Sequence, residues 1–335
     1  MKSISMVIRC LNEEEHIDRL LAGIGRQTLQ PLEIIIVDSG STDATLEIAS
    51  RFPVRVLSIE PELFSFGRSL NLGCEAALGN IIVIASAHVY PVYETWLEEL
   101  VAGLDDPEVA LAYGRQQGDA STRYSEQQIM QKWFPARSSA RQEHPFCNNA
   151  NAAVRKEVWQ RFPYNEGLTG LEDLDWAKRV VESGYHISYV AEAPVIHVHR
   201  ESWRQIINRY RREAIAQKHI YSEAGIGLTA TIALAGLNIG MDYYHAAHER
   251  VLFRNLAAIP AFRIAQFWGT YRGFAQRGPV PSLLKRRFYY PNSWRHTAST
   301  ISRPQERRRI DYAASADATA GLDEIQPPDS EDLAA

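Results

Sequence analysis

Short apolar, β-branched runs alternate with amphipathic stretches from residue 3 to about residue 221. Ser3 to Ile8 reads as a strand ending at Arg9, and Asn12-Glu13-Glu14-Glu15 then opens a helix carrying Leu20, Leu21 and Ile24, with acids at its positive end. The unbroken run Ile34-Ile35-Ile36-Val37 predicts a strand buried on both faces, as a parallel sheet requires. It stops at Asp38, and Ser39, Gly40 and Ser41 make a polar turn into a helix over Thr42 to Arg51. Further strands are predicted at Val54 to Ile59, Asn80 to Ala85, Val109 to Tyr113, Ala152 to Arg155, Ile187 to Val190 and Pro194 to Val198. Helices are predicted at Ser69 to Leu78, at Trp96 to Leu104, from Glu172-Asp173 onward, and at Trp203 to about Tyr221, with a further amphipathic segment over Glu126 to Phe134. This alternation predicts an α/β domain whose ligand sits at the carboxyl ends of the strands.

The pattern changes after residue 221. From Ala224 to Met241 there is no charged residue, but Gly, Thr and Asn recur, which argues against a membrane span there. Beyond Pro260, Ile264, Phe267, Trp268, Tyr271 and Ala275 fall on one helical face. That face suits a helix lying in a bilayer surface or one docked on the rest of the protein. From Ile310 onward acids, Ala, Ser and Pro dominate, the composition of a disordered tail.

Charge sharpens this division. The nearly neutral total conceals a net charge near −10 over 1–199, near +13 over 200–309 and near −7 over 310–335. The basic region, with its run Arg286-Arg287-Phe288-Tyr289-Tyr290, points to an anionic partner. No nucleic-acid-reading motif accompanies it, so no nucleic acid is expected and an anionic membrane surface is the better fit. Cys10, Cys74 and Cys147 lack metal-ligand spacing and read as unpaired thiols of a reducing compartment. The N-terminal stretch MKSISMVIRCLNEEE has no signal-peptide plan, so the protein is expected in the cytoplasm, peripheral on the inner membrane face.

Asp38, His88, Glu172-Asp173 and His197/His199 all lie at strand or turn ends. With IRCLNEEE, IIIVDSGSTDAT, GRSLNLG followed by NIIVIASAH, NNANAAVR, LEDLDWAKR and HVHRESWRQIINRYRREA in that order, the chain resembles an inverting family 2 glycosyltransferase. The resemblance implies a GT-A nucleotide-sugar-binding fold, Rossmann-like, with a mostly parallel twisted sheet. It implies a catalytic domain over 1–220, which the charge and composition pattern follows with a basic, aromatic, helical membrane-associating extension (221–302) and a disordered acidic tail (303–335). It implies an activity too: transfer from a UDP- or dTDP-linked sugar to a hydroxyl of a glycan or lipid-linked acceptor, in cell-envelope polysaccharide synthesis. The alternatives are a catalytically degenerate sugar-nucleotide binder and a nucleotidyltransferase.

Carried over residue by residue, the resemblance makes Asp173 the general base, with Glu172 beside it. It places Arg9, Asn12, Glu13, Asp38, Ser39, Arg68, Ser86 and Ala87 around the nucleotide, and Asn148, Asn149 and Asn151 against the sugar or acceptor. Where the family commonly has Asp-x-Asp for a divalent metal, this chain reads Ser86-Ala87-His88. His88 and His197, with His199 as an alternative, are then the candidate ligands; imidazoles are compatible with Mn²⁺ and poor for Mg²⁺.

Overall fold

A computed structural model describes residues 2–60, 63–275, 310 and 312. Its eight strands are β1 (Ile4–Cys10), β2 (Glu33–Asp38), β3 (Arg55–Ser58), β4 (Ile81–Ser86), β5 (Val89–Pro91), β6 (Val109–Gln117), β7 (Asn151–Arg155) and β8 (His186–His197). The helices are α1 (Ile17–Gly25), α2 (Thr45–Ala49), α3 (Phe66–Ala76), α4 (Trp96–Ala102), α5 (Tyr124–Trp133), α6 (Lys156–Arg161), α7 (Glu172–Glu182), α8 (Trp203–Ile220), α9 (Leu228–His248), α10 (Leu252–Asn255) and α11 (Ala258–Phe274). The strands form one sheet in the order β3-β2-β1-β4-β7-β6-β8-β5.

The sheet is more mixed than expected. β3, β2, β1 and β4 are parallel, as are β6 and β8, but β7 runs antiparallel between β4 and β6, and β5 antiparallel beside β8. The reason lies where β7 enters: its first residue, Asn151, pairs with Ala85 near the exit of β4, so it starts at the end where β4 finishes. The two strands expected at 187–190 and 194–198 are one continuous β8, and the helix expected over 42–51 shortens to α2.

The strands carry unbroken apolar runs because helices cover both faces. Alternate residues go opposite ways: Met6, Ile8 and Ile36 pack with Leu20, Ile24, Trp96 and Leu97 on one side. Val7, Ile35 and Val37 pack with Leu70, Cys74, Trp159 and Trp176 on the other. All three cysteines are buried and unpaired.

The helices after α8 pack against it and against one another. Gly269 and Gly273 of α11 lie so close to the Ile207 and Arg211 carbonyls of α8 that a β-carbon at either would collide with that backbone. Asp242 of α9 and Arg263 of α11 form a buried bidentate ion pair at 2.7 and 2.8 Å. The aromatic face expected on α11 is therefore split: Phe267 is buried with Phe262, while Ile264 and Trp268 stay exposed. Among the described residues no helix is long and apolar enough to cross a membrane.

α9 has a mixed inner face: Thr231, Asn238, Asp242 and Ala246 are buried, with Leu234, Ile239 and Tyr243 half-buried around them, whereas Leu228, Ile232 (63% exposed), Leu237, Met241 and Tyr244 (66% exposed) face outward. Ile310 and Tyr312 of the tail lie against the sheet edge, the Ile310 N–H donating to the Val92 carbonyl and the Tyr312 ring meeting Tyr90 and Gly23. The basic run 286–290 and the rest of the tail fall outside the described residues.

Candidate active site

A cleft of about 920 Å³ opens at the carboxyl ends of β1 and β4, between α7 and the start of α8. Arg9, Asn12 and Glu13 reach it from the exit of β1, Ser86 and His88 from the exit of β4, Asn148 and Asn149 from the loop before β7, and Glu172 and Asp173 from the first turn of α7. Two of its residues, Asn12 and Leu171, hold left-handed backbone at φ 54° and 55°. For a leucine this is strained, and Leu171 immediately precedes the acidic pair, so the strain aims the start of α7 into the cleft.

Asp173 is the carboxylate of the pair that no cation binds directly. Its Oδ2 accepts from the Asn149 backbone N–H at 3.3 Å and its Oδ1 from its neighbour Leu174 N–H at 2.8 Å. Burial and the adjacent Glu172 charge push Asp173 up to about 7, against those N–H groups and the Arg9 charge. Glu172 is instead committed, accepting from the Arg9 Nη1 at 3.0 Å. Cationic side chains surround the pair. The Arg9 and Arg212 guanidiniums lie 5.0 and 4.6 Å from the Phe66 ring, and Arg200 and Arg209 also line the cleft, a concentration of planar donors suited to phosphate.

Opposite them, three histidines converge. β5, which the sequence pattern did not reveal, pairs Val89 with His197 and so sets His88 beside β8. The His88 and His197 rings stack at 5.0 Å, and one nitrogen from each of His88, His197 and His199 falls within 4.8 Å of the others. Each Nδ1 has its own partner: Glu13 for His88 at 2.8 Å, Gln116 for His197 at 2.6 Å and Glu126 for His199 at 2.8 Å. Glu126 is a carboxylate: burial opposes its charge, but the His199 hydrogen bond and the Arg209 charge hold it at about 2. The Nδ1 of His199 therefore donates to it, and that of His197 to the Gln116 oxygen. The two Nε2 atoms lie 3.0 Å apart, the distance of a hydrogen bond when one ring carries both protons and also one at which both can ligate a single cation. Burial, reinforced by the other two histidines and Arg209, holds His197 well below its ordinary value and so neutral. Imidazoles pinned at Nδ1 by carboxylate or amide oxygens, with Nε2 atoms converging, form a donor set that fits a divalent cation.

The structure gathers most, but not all, of the residues singled out from sequence. Asp38 and Ser39 are buried and do not line the cleft: Asp38 accepts from the Gly40 and Ser41 N–H groups and the Ser41 hydroxyl, which leaves its carboxylate occupied by the turn. Arg68 is exposed on α3, outside the cleft, and Ala87 is buried behind it. Asn151 is an internal brace: its Nδ2 donates to the Arg115 and Ala193 carbonyls and its Oδ1 accepts from the Trp96 indole. Sequence reasoning assigned no site role to Gln116, Glu126, Arg209 or Arg212. The one available signal was the basic helix following His197-Val198-His199.

Residues 5–162 match the model of glycosyl transferase family 2. That match spans just under half of the chain and is what this chain's likeness to glycosyltransferase family 2 rests on. An O-antigen chain rhamnosyltransferase, WbaN of Salmonella anatum, is 31% identical over 55% of this chain and 62% of its own length, so this chain spans somewhat under two thirds of that relative. RfbN of Salmonella typhimurium, of the same description, is 28% identical over 62% of this chain and 70% of its own. Among solved structures, the mannosyltransferase PcManGT from Pyrobaculum calidifontis, in complex with GDP-Man and Mn²⁺, superposes with a TM-score of 0.55 at 20% identity, covering 82% of this chain and 84% of that one. The fold is that of the GT-A glycosyltransferases. The family match ends before α7, so Asp173, His197 and His199 are assigned on geometry.

Proposed function

We propose that the protein transfers a sugar from a nucleotide-diphosphate donor, UDP- or dTDP-linked, to a hydroxyl of a glycan or lipid-linked acceptor, inverting the anomeric centre. The observation that carries this is the Asp173 carboxylate, bound directly by no cation and raised toward neutrality, facing the three-histidine cluster and the arginines across one cleft. Asp173 takes the acceptor proton as the hydroxyl attacks the anomeric carbon, and a single displacement inverts the configuration. Arg9 and Arg212 counter the charge that builds on the departing diphosphate. Glu172 holds Arg9 in place and keeps Asp173 basic. His88, His197 and His199 would hold a divalent cation, which supplies further positive charge against the diphosphate. Their all-imidazole set favours Mn²⁺ over Mg²⁺, which prefers oxygen ligands.

The relatives named for O-antigen rhamnosyl transfer support a deoxyhexose donor and an envelope-glycan acceptor. The exposed apolar side chains of α9 and the basic chain that follows α11 support work at an anionic membrane surface, on its cytoplasmic face. The test is a donor screen with dTDP-rhamnose, UDP-hexoses and GDP-mannose, with and without Mn²⁺, against lipid-linked and free glycan acceptors. Transfer with inversion that Asp173→Asn abolishes supports the reading, and nucleotide binding without turnover of any donor overturns it.

A further inference from the structure

A second cavity, of about 210 Å³, lies behind the histidines, enclosed by α5, α8, α9 and α11. It shares a wall with the cleft: Asn148, Leu171, His197, His199, Arg209 and Glu213 line both. One side is aromatic, with Trp133, Phe134 and Phe146, and the Trp133 and Phe146 rings stack at 4.3 Å. The other side is amide and hydroxyl, with Gln217, Asn238, Gln266 and Thr270.

The wall also carries unmet hydrogen-bonding capacity. Gln116 Nε2, Glu126 Oε2 and Arg209 Nε are buried without a partner, although Gln116 and Glu126 are only 3% and 2% exposed. An orphaned buried polar group costs about 1–3 kcal/mol, so these three side chains of the wall gain by turning toward a hydrogen-bonding occupant of the cavity they line. The space is smaller than the roughly 300–1,000 Å³ of sites for drug-sized ligands, which suits one small ring.

The geometry points to a binding site for one pyranose ring of the acceptor glycan. A pyranose has an apolar C–H face that lies on aromatic rings and a rim of hydroxyls that donate and accept alike. The Trp133–Phe146 side meets the face. Gln116 and Arg209 donate to the rim, and Glu126 accepts from it. An aliphatic chain would leave these polar atoms unpaired, and a nucleotide would bring a phosphate against Glu126. A sugar seated here passes its next residue by Asn148 toward Asp173. The inference rests on the proposed transferase reading and names the acceptor side of that same site.

The test separates the two. Saturation-transfer NMR on the full chain uses a panel of methyl pyranosides (glucoside, galactoside, mannoside, rhamnoside and N-acetylglucosaminide), with dTDP and UDP binding measured in parallel. Wild type is expected to transfer saturation to the ring C–H protons of at least one glycoside. Gln217→Met keeps volume but removes the amide, and Thr270→Leu reduces the space; each should weaken that binding about tenfold, the loss of one or two buried hydrogen bonds or an equivalent clash. Nucleotide binding should be unchanged in both. No glycoside binding to wild type, or binding unchanged in both variants, overturns the inference. Glycoside binding that obeys these expectations, in a protein that turns over no donor, overturns the transferase reading and leaves the sugar site standing.

Discussion

The Nε2 atoms of His197 and His199 face each other at 3.0 Å, each ring anchored at Nδ1 by an oxygen of Gln116 or Glu126. That spacing lets both nitrogens ligate one cation, and His88 brings a third nitrogen to the same point. Transfer should therefore depend on added divalent metal, be lost with a chelator and return with Mn²⁺ far better than with Mg²⁺. His197→Ala should lower metal affinity more than Glu126→Gln, which keeps an oxygen for His199 Nδ1 but removes the charge that also holds Arg209. For that outer position a loss of about 10–100-fold is expected, measured by Mn²⁺ titration. Full activity in chelator would remove the metal from the account.

Asp173→Asn should cost about 10²–10⁴-fold in kcat while leaving nucleotide affinity nearly unchanged, since the base touches the acceptor proton and not the nucleotide. Retention of more than about a tenth of wild-type turnover would show that another group takes the proton.

Asp173 acts only when ionised and is pushed up to about 7, so kcat/KM should fall below roughly neutral pH. Glu172→Gln removes a neighbouring negative charge and releases the Arg9 cation to act on Asp173. Both changes favour the ionised form, lower its pKa and should move the acid limb to lower pH, whatever happens to the maximal rate. A limb that stays in place, or moves toward higher pH, would mean that Glu172 does not set it. The pH profiles of the two proteins decide it.

The apolar runs placed the strands whose ends carry the N-terminal part of this cleft, while the roles of its residues came from the family resemblance. β1, β2 and β4 and the start of α7 fall close to where the pattern places them, and Arg9, Glu13, His88 and Asp173 come with them. Asp38 shows the limit. A carboxylate before Ser-Gly-Ser suits a ligand contact and a turn cap alike in residue type, and here the Gly40 and Ser41 N–H groups engage it as a cap. The histidine cluster depends on β5, three residues long and containing Pro91, which gives no periodic signal of its own. Glu126 was visible only as part of an amphipathic segment, because its role comes from long-range contacts with His199 and Arg209. The buried polar residues of α9 were hidden for the same reason: Asp242 is accommodated inside by Arg263, which lies on another helix.

That ion pair gives a stability prediction. Asp242→Ala leaves the Arg263 guanidinium buried and uncompensated, which should cost about 3–5 kcal/mol. The expected result is loosening of α9 and α11 at lower denaturant than wild type. The double change Asp242→Leu with Arg263→Met, which removes both charges together, should recover most of the loss. Equal destabilisation by the single and double changes would show that packing, not charge, is what the pair provides.

The outward face of α9 bears on where the enzyme works. Ile232, Leu237, Met241 and Tyr244 stay exposed on a helix whose inner face is mixed, and Phe253 of α10 is 91% exposed. The chain from 276 to 309 then carries nine Lys or Arg and a single acid. An anionic bilayer answers both features: each exposed apolar side chain it buries contributes about 1.5–3 kcal/mol, and each nearby cation about 1 kcal/mol. The full chain should float with vesicles containing phosphatidylglycerol at low salt and not with neutral vesicles. Added salt should release most of it, because screening removes the electrostatic share. Ile232→Glu with Met241→Glu, both at exposed positions, should leave thermal stability unchanged and reduce vesicle partitioning by about a hundredfold or more, the equivalent of losing two inserted side chains. No association with anionic vesicles would sink the membrane reading. Association that survives both high salt and alkaline wash would mean that a segment is inserted far more deeply than the apolar face of α9 allows.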